Sequence, residues 1–114
     1  MELSKMLKNL KLFNNLNDLE LEEVKNFLSD IKVYKNKTTI FNVGDDLNNF
    51  GILLSGQVEL EVDDDFGNKT ILSKLTAPAL FAESVLISGV KEIPLSVVAS
   101  GDAEIIFFDY NSFL

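Results

Sequence analysis

Hydrophobic positions recur along this chain first with a helical period and then with the period of strands. Leu3, Met6, Leu7 and Leu10 fall at i, i+3, i+4 and i+7, the stripe of an amphipathic helix, and Lys5, Lys8 and Lys11 lie off it. A second helix is predicted from Asn17-Asp18, where Asn17 and Glu20 have the spacing of a capping box. Leu21, Val24, Phe27, Leu28 and Ile31 supply its apolar face. Asp18, Glu20, Glu22 and Glu23 load its first turns with negative charge, which complements the helix dipole and is a structural role rather than a catalytic one. Beyond residue 30 the period shortens. Strands are predicted over 31–34, 38–41, 50–54, 57–63, 69–75, 95–99 and 104–108. Turn signals separate them at Lys35-Asn36, Gly44-Asp45, Ser55-Gly56, Gly67-Asn68, Ser88-Gly89 and Ser100-Gly101. The clearest alternation sets Val58, Leu60 and Val62 inward against Glu59 and Glu61 outward. Short strands without long helices between them indicate an antiparallel barrel or sandwich. The expected organisation is N-terminal helices over 1–30 and a β-barrel over 31–110. Residues 111–114 are expected to begin a C-terminal helix that is cut off.

The 114 residues, 46% of them hydrophobic, suffice for one small core. The residue types that are missing change the picture more. There is no Cys, no His and no Arg, since all 10 basic residues are Lys. Zinc fingers, thiolate-held iron–sulfur clusters, His- or Cys-ligated haem and Ser-His or Cys-His catalysis are thereby excluded. A net charge of −8 repels nucleic acid and anionic membranes, so contact with DNA would have to come from a part of the protein outside this segment. No apolar run is long enough for a signal peptide or a membrane span, and a cytoplasmic location is expected. The three lysines and modest apolar face of the first helix suit packing on its own domain better than lying on a membrane.

Three stretches combine into a pattern. They are Thr39-Ile40-Phe41-Asn42-Val43-Gly44-Asp45, then Gly51-Ile52-Leu53-Leu54-Ser55-Gly56-Gln57-Val58, then Leu80-Phe81-Ala82-Glu83-Ser84-Val85-Leu86 followed by Pro94-Leu95-Ser96-Val97-Val98-Ala99. In this order and spacing they resemble the cyclic-nucleotide-binding domain, and more narrowly the N-terminal effector domain of bacterial Crp/Fnr-type transcription regulators. Leu12-Phe13 and the helix from Asn17 resemble that family's leading segment, so the likeness covers about residues 12–113. The resemblance implies a mainly β fold with N-terminal helices, a double-stranded β-helix or jelly-roll barrel. It also implies a dimerisation helix and a DNA-reading winged helix-turn-helix further along a longer chain, with the full-length protein a homodimer. Gly44 and Gly56 fall where a tight barrel corner needs positive φ or close backbone approach.

Residues 82–86 resemble the family's phosphate-binding cassette. In nucleotide-binding members a Glu holds the ribose hydroxyl and an Arg grips the cyclic phosphate. Glu83 matches the Glu; the Arg position falls on Ile93, or on Leu95 if the proline is aligned instead. Ala82 replaces a Gly, and Pro78-Ala79 replaces Gly-Asp. A charge-assisted hydrogen bond contributes roughly 1.5–3 kcal/mol, and removing one partner of a buried pair costs about 3–5 kcal/mol. Lys91 is near in sequence, but a flexible point charge does not reproduce a bidentate fork. The expectation is therefore a barrel that does not bind cAMP or cGMP. Any ligand would meet Phe41, Leu60, Ser73, Phe81, Ala82, Glu83, Ser84, Ile93, Pro94, Leu95 and Ser96, a mostly apolar set suited to a small apolar or aromatic effector. The competing expectation is that these side chains fill the barrel themselves and no effector exists. Two alternatives stay open, a cyclic-nucleotide site built on non-arginine contacts and a ligand-free protein-interaction barrel.

Other constellations carry less. Asp63-Asp64-Asp65 with Asn68 lacks the spaced oxygens and closing Glu of a calcium loop and reads as a solvated hairpin tip. Glu59 and Glu61 sit on the outward face, away from any enclosed site. A cupin enzyme would need His ligands. No cofactor, metal or enzymatic activity is expected.

Overall fold

The computed structural model describes residues 3–113. Two short helices lead, α1 (Leu3–Lys8) and α2 (Asp18–Lys25). The capping box at the start of α2 is formed in full. Asn17 Oδ1 accepts from the Glu20 amide at 2.8 Å, and Glu20 Oε1 accepts from the Asn17 amide at 3.0 Å. The helix stops at Lys25, earlier than the apolar spacing suggests. Leu28 instead bridges to Phe108, and Ile31 is 55% exposed, off any helical face.

Six strands follow, β1 (Lys32–Tyr34), β2 (Thr39–Phe41), β3 (Phe50–Asp63), β4 (Lys69–Thr76), β5 (Ala79–Phe81) and β6 (Ser96–Phe108), with α3 (Glu83–Ile87) before β6 and α4 (Tyr110–Phe113) after it. Every pairing is antiparallel. β3 and β6 pair along almost their full length, from Phe50 with Phe108 to Glu61 with Ser96. The first half of β3 also carries β5, and the second half carries β4. β6 carries β2 on its first half and β1 on its second. Two four-stranded half-sheets thus share the same pair of long central strands, which is the jelly-roll arrangement.

The expected hairpin at Ser55-Gly56 and the expected turn at Ser100-Gly101 are not turns. Each lies inside a continuous strand, and the ladder has irregularities from Leu53 to Gln57 where β3 bends from one half-sheet into the other. Gly56 has φ of +83° and Gly101 +78°. Positive φ is what a bulge in a strand requires, and it is also what a turn requires, so the local sequence does not separate the two. Gly56 is further constrained by packing, since a Cβ there would run into the Asp102 carbonyl oxygen and lie 3.0 Å from Ala103 Cα.

Two aromatic clusters occupy the two sides of the sheet. On the helix side Phe13, Phe27, Phe50, Phe108 and Phe113 pack with centroid separations of 5.0–6.5 Å. On the other side Phe41, Phe81 and Phe107 form a second cluster. Glu59 and Glu61 lie on the face opposite Leu60 as expected from alternation, yet Glu61 is buried, with only 8% exposure. Ile71 of β4 and Ser96 of β6 flank it, and Lys69 reaches over to within 3.8 Å of its carboxylate.

Candidate functional site

The cross-strand register brings part of the expected pocket together. Phe41 pairs with Val97, Val97 with Leu60 and Leu60 with Ser73, so Phe41, Leu60 and Ser73 share one row on the inner face. Ser73, on the edge strand β4, is exposed. In the other half-sheet a row runs Phe81, Gly51, Phe107. Gly51 has no side chain, and the Phe81 ring lies directly over its backbone, where a Cβ would collide with it. Phe81 then meets Phe41 edge-on at 5.8 Å and Phe107 at 6.4 Å, while Phe41 lies 5.7 Å from Phe107. Tyr34 closes the group against Phe107 at 6.4 Å. Burial pushes the Tyr34 phenol above its usual value, so it stays protonated. Three rings, Phe41, Phe81 and Phe107, therefore pack against one another on the inner face. Phe107 is missing from the sequence-based set. It sits in the run Ile105-Ile106-Phe107-Phe108, apolar on both faces, where alternation has no phase to reveal which residue points inward.

The cassette follows β5. Ala82 has φ of +69° and ψ of −1° at the N-terminus of α3, with no side-chain cap. This left-handed conformation costs a residue bearing a Cβ roughly 1–2 kcal/mol. Glycine relieves that strain but adds freedom to the unfolded chain. Ala82→Gly is therefore expected to stabilise the domain by about 0.5–1 kcal/mol, read as a higher thermal midpoint. An unchanged or lower midpoint would mean that Ala82 contributes more through its packing than it loses to strain.

Glu83 is half-buried, and its Oε2 is enclosed without a hydrogen-bond partner among the described residues. Ser84 is exposed. Ile93 is 2% exposed and fixed by a two-way backbone link to the Gly44-Asp45 turn, with the Ile93 amide donating to Asp45 O and the Gly44 amide to Ile93 O, both at 2.9 Å. Pro94 is exposed, while Leu95 and Ser96 are half-buried. Ser96 Oγ accepts from the Val43 amide at 3.4 Å. Both candidate positions for the arginine thus hold aliphatic side chains, and Lys91 is exposed, on the lip of a cleft with Asp46 and Tyr110.

The family described as cyclic nucleotide-binding domain matches residues 31–114. The chain belongs to that family. No curated protein sequence matches it significantly. Among solved structures, the fold of this cyclic nucleotide-binding domain is shared with the transcriptional regulator DNR of Pseudomonas aeruginosa, at 21% identity and a TM-score of 0.89 over 100% of this chain and 52% of that one. The N-terminal domain of a transcriptional regulator of Streptomyces coelicolor A3(2) has 19% identity and a TM-score of 0.81, over 92% of this chain and 72% of that one. The regulatory domain of Toxoplasma gondii PKA, solved with cAMP, has 21% identity and a TM-score of 0.86, over 97% of this chain and 41% of that one. The chain thus spans about half or less of the DNR and Toxoplasma structures. Among the described residues no helix is long and apolar enough to cross a membrane.

Proposed function

We propose that this cyclic nucleotide-binding domain is the sensory part of a Crp/Fnr-type transcription regulator and that its barrel no longer takes a cyclic nucleotide. The observation that carries the reading is the inner face itself. Phe41, Phe81 and Phe107 pack against one another there, and Ile93 and Leu95, the two alternative matches to the family's arginine, are both aliphatic. A buried cyclic phosphate would then lack a bidentate cation and would enter a chain of net charge −8. The likeness to two transcriptional regulators supports the regulatory role. In this reading the barrel is not an enzyme and works in the cytoplasm. DNA is contacted only through a separate module of a longer, homodimeric protein, and an effector shifts that protein between DNA-competent and incompetent populations.

Calorimetric titration with cAMP and with cGMP tests the proposal. No binding heat is expected up to about 1 mM nucleotide, and a micromolar dissociation constant for either would overturn it. A second reading rests on Glu83. Its enclosed Oε2 lacks a partner among the described residues, so a small apolar effector bearing one hydroxyl would satisfy it without any cation.

A further inference from the structure

Eight of the nine phenylalanines belong to the two aromatic clusters. The ninth does not. Phe66 is 89% exposed at the tip of the β3–β4 hairpin. The tip that carries it is well fixed. Asp64 Oδ1 accepts from the amides of Phe66 and Asn68, both at 2.8 Å, the Asp64 amide donates to Asn68 O at 2.9 Å, and the Gly67 amide donates to Asp64 O at 3.1 Å. Donation from the Asn68 amide first, and from Phe66 as well, holds the Asp64 carboxyl below its usual range, so it stays ionised and engaged near neutral pH. Asp65 directly precedes Phe66 and Asp63 ends β3; both are exposed and have no ion-pair partner among the described residues.

At the other end of β3 lies a cleft of about 170 Å³, bounded by Leu12, Phe13, Phe50, Ile87, Phe108 and Phe113 among others. Its lining is aliphatic and aromatic apart from the Tyr110 hydroxyl. An apolar cavity of about 150 Å³ accepts benzene, so this cleft has room for one phenyl ring. Leu12, Ile87 and Phe113 on its rim are 42%, 47% and 46% exposed. Lys11 adjoins Leu12, is exposed and forms no ion pair among the described residues. Ring and cleft are joined by the fourteen residues of β3, which begins at the cleft with Phe50 and ends at Asp63 beside the tip. Two copies laid antiparallel would bring each tip to the other's cleft.

We propose that two copies of this chain associate about a twofold axis, the Phe66 ring of each entering the Leu12–Phe113 cleft of the other. The proposal is independent of whether the barrel binds an effector. A twofold contact is self-complementary, so each knob–cleft pair occurs twice and the assembly closes. Asp63 and Asp65 near the ring and Lys11 next to the rim residue Leu12 carry opposite charge, and their attraction would offset part of the repulsion between two copies of charge −8. Burying one exposed phenyl ring contributes about tenfold or more in affinity.

Sedimentation equilibrium between about 10 µM and 1 mM at physiological salt tests this. The wild-type chain is expected to show a reversible monomer–dimer equilibrium. Phe66→Ala and Ile87→Glu, both at exposed positions and checked for unchanged circular dichroism, should each raise the dissociation constant at least tenfold. An equimolar mixture of the two variants retains one good ring with one good cleft and should associate more tightly than either variant alone. Wild-type monomer throughout the range overturns the proposal. So does a dimer indifferent to Phe66→Ala, or one weakened by Phe66→Ala but not by Ile87→Glu.

Discussion

Phe81→Ala is expected to destabilise the domain by about 3–5 kcal/mol, which approaches the whole stability of many small proteins. Phe81 is 1% exposed and contacts both other rings of the inner cluster, so its removal strips away buried apolar area and leaves a void. Collapse into that void is hindered on one side by the Gly51 backbone, which already lies against the ring and has no side chain to move. Urea denaturation gives the magnitude directly from the shift in midpoint at constant slope. If the variant remains folded, its cavity is lined by Phe41 and Phe107 and should be stabilised by added benzene or indole, a gain the wild-type chain should not show. A loss below about 1.5 kcal/mol would mean that the ring is loosely held and the inner face is closer to an open pocket than to a filled core.

Gly56→Ala should be the next most damaging change, at about 2–4 kcal/mol, because two independent penalties meet there. An alanine must adopt φ of +83°, and its methyl must displace the Asp102 carbonyl on the facing strand. Gly101 provides the control. It has φ of +78°, but a Cβ there meets nothing within 4 Å, so Gly101→Ala should pay only the conformational part, about 1 kcal/mol. Equal losses at the two positions would assign the whole effect to backbone conformation and none to the approach of β6.

The same glycines mark how far the sequence is legible. The start of α2 follows from Asn17 and Glu20 because a capping box is local chemistry, complete within four residues. Leu60 could be set facing inward because alternation with Glu59 and Glu61 gives its strand a phase, whereas the strand that carries Ser73 offers none. Gly56 and Gly101 were read as turns because their need for positive φ is visible in the sequence, whereas the continuation of the strand beyond them depends on a partner about forty residues away. β5 has only three residues, too few for alternation to register. Glu61 reads as exposed from its alternation with Leu60 and Val62, yet its cross-strand neighbours Ile71 and Ser96 flank it and Lys69 reaches to it across the hairpin. Phe107 escaped for the opposite reason, since nothing polar near it sets a phase. In the candidate site the missing arginine was evident from composition alone. That three rings meet on the inner face was not, because they come from β2, β5 and β6 and meet only once the jelly roll closes.

Because β3 and β6 each run through both half-sheets, the molecule has no seam along which one half could open while the other stays shut. A protease that would nick a hairpin at Ser55-Gly56 meets instead a continuous strand, in which Ser55 pairs with Glu104 and the Gly56 carbonyl accepts from the Ala77 amide. Under the proposed regulatory role, a signal leaves the barrel by displacement of the helices at its rim rather than by parting of the sheet.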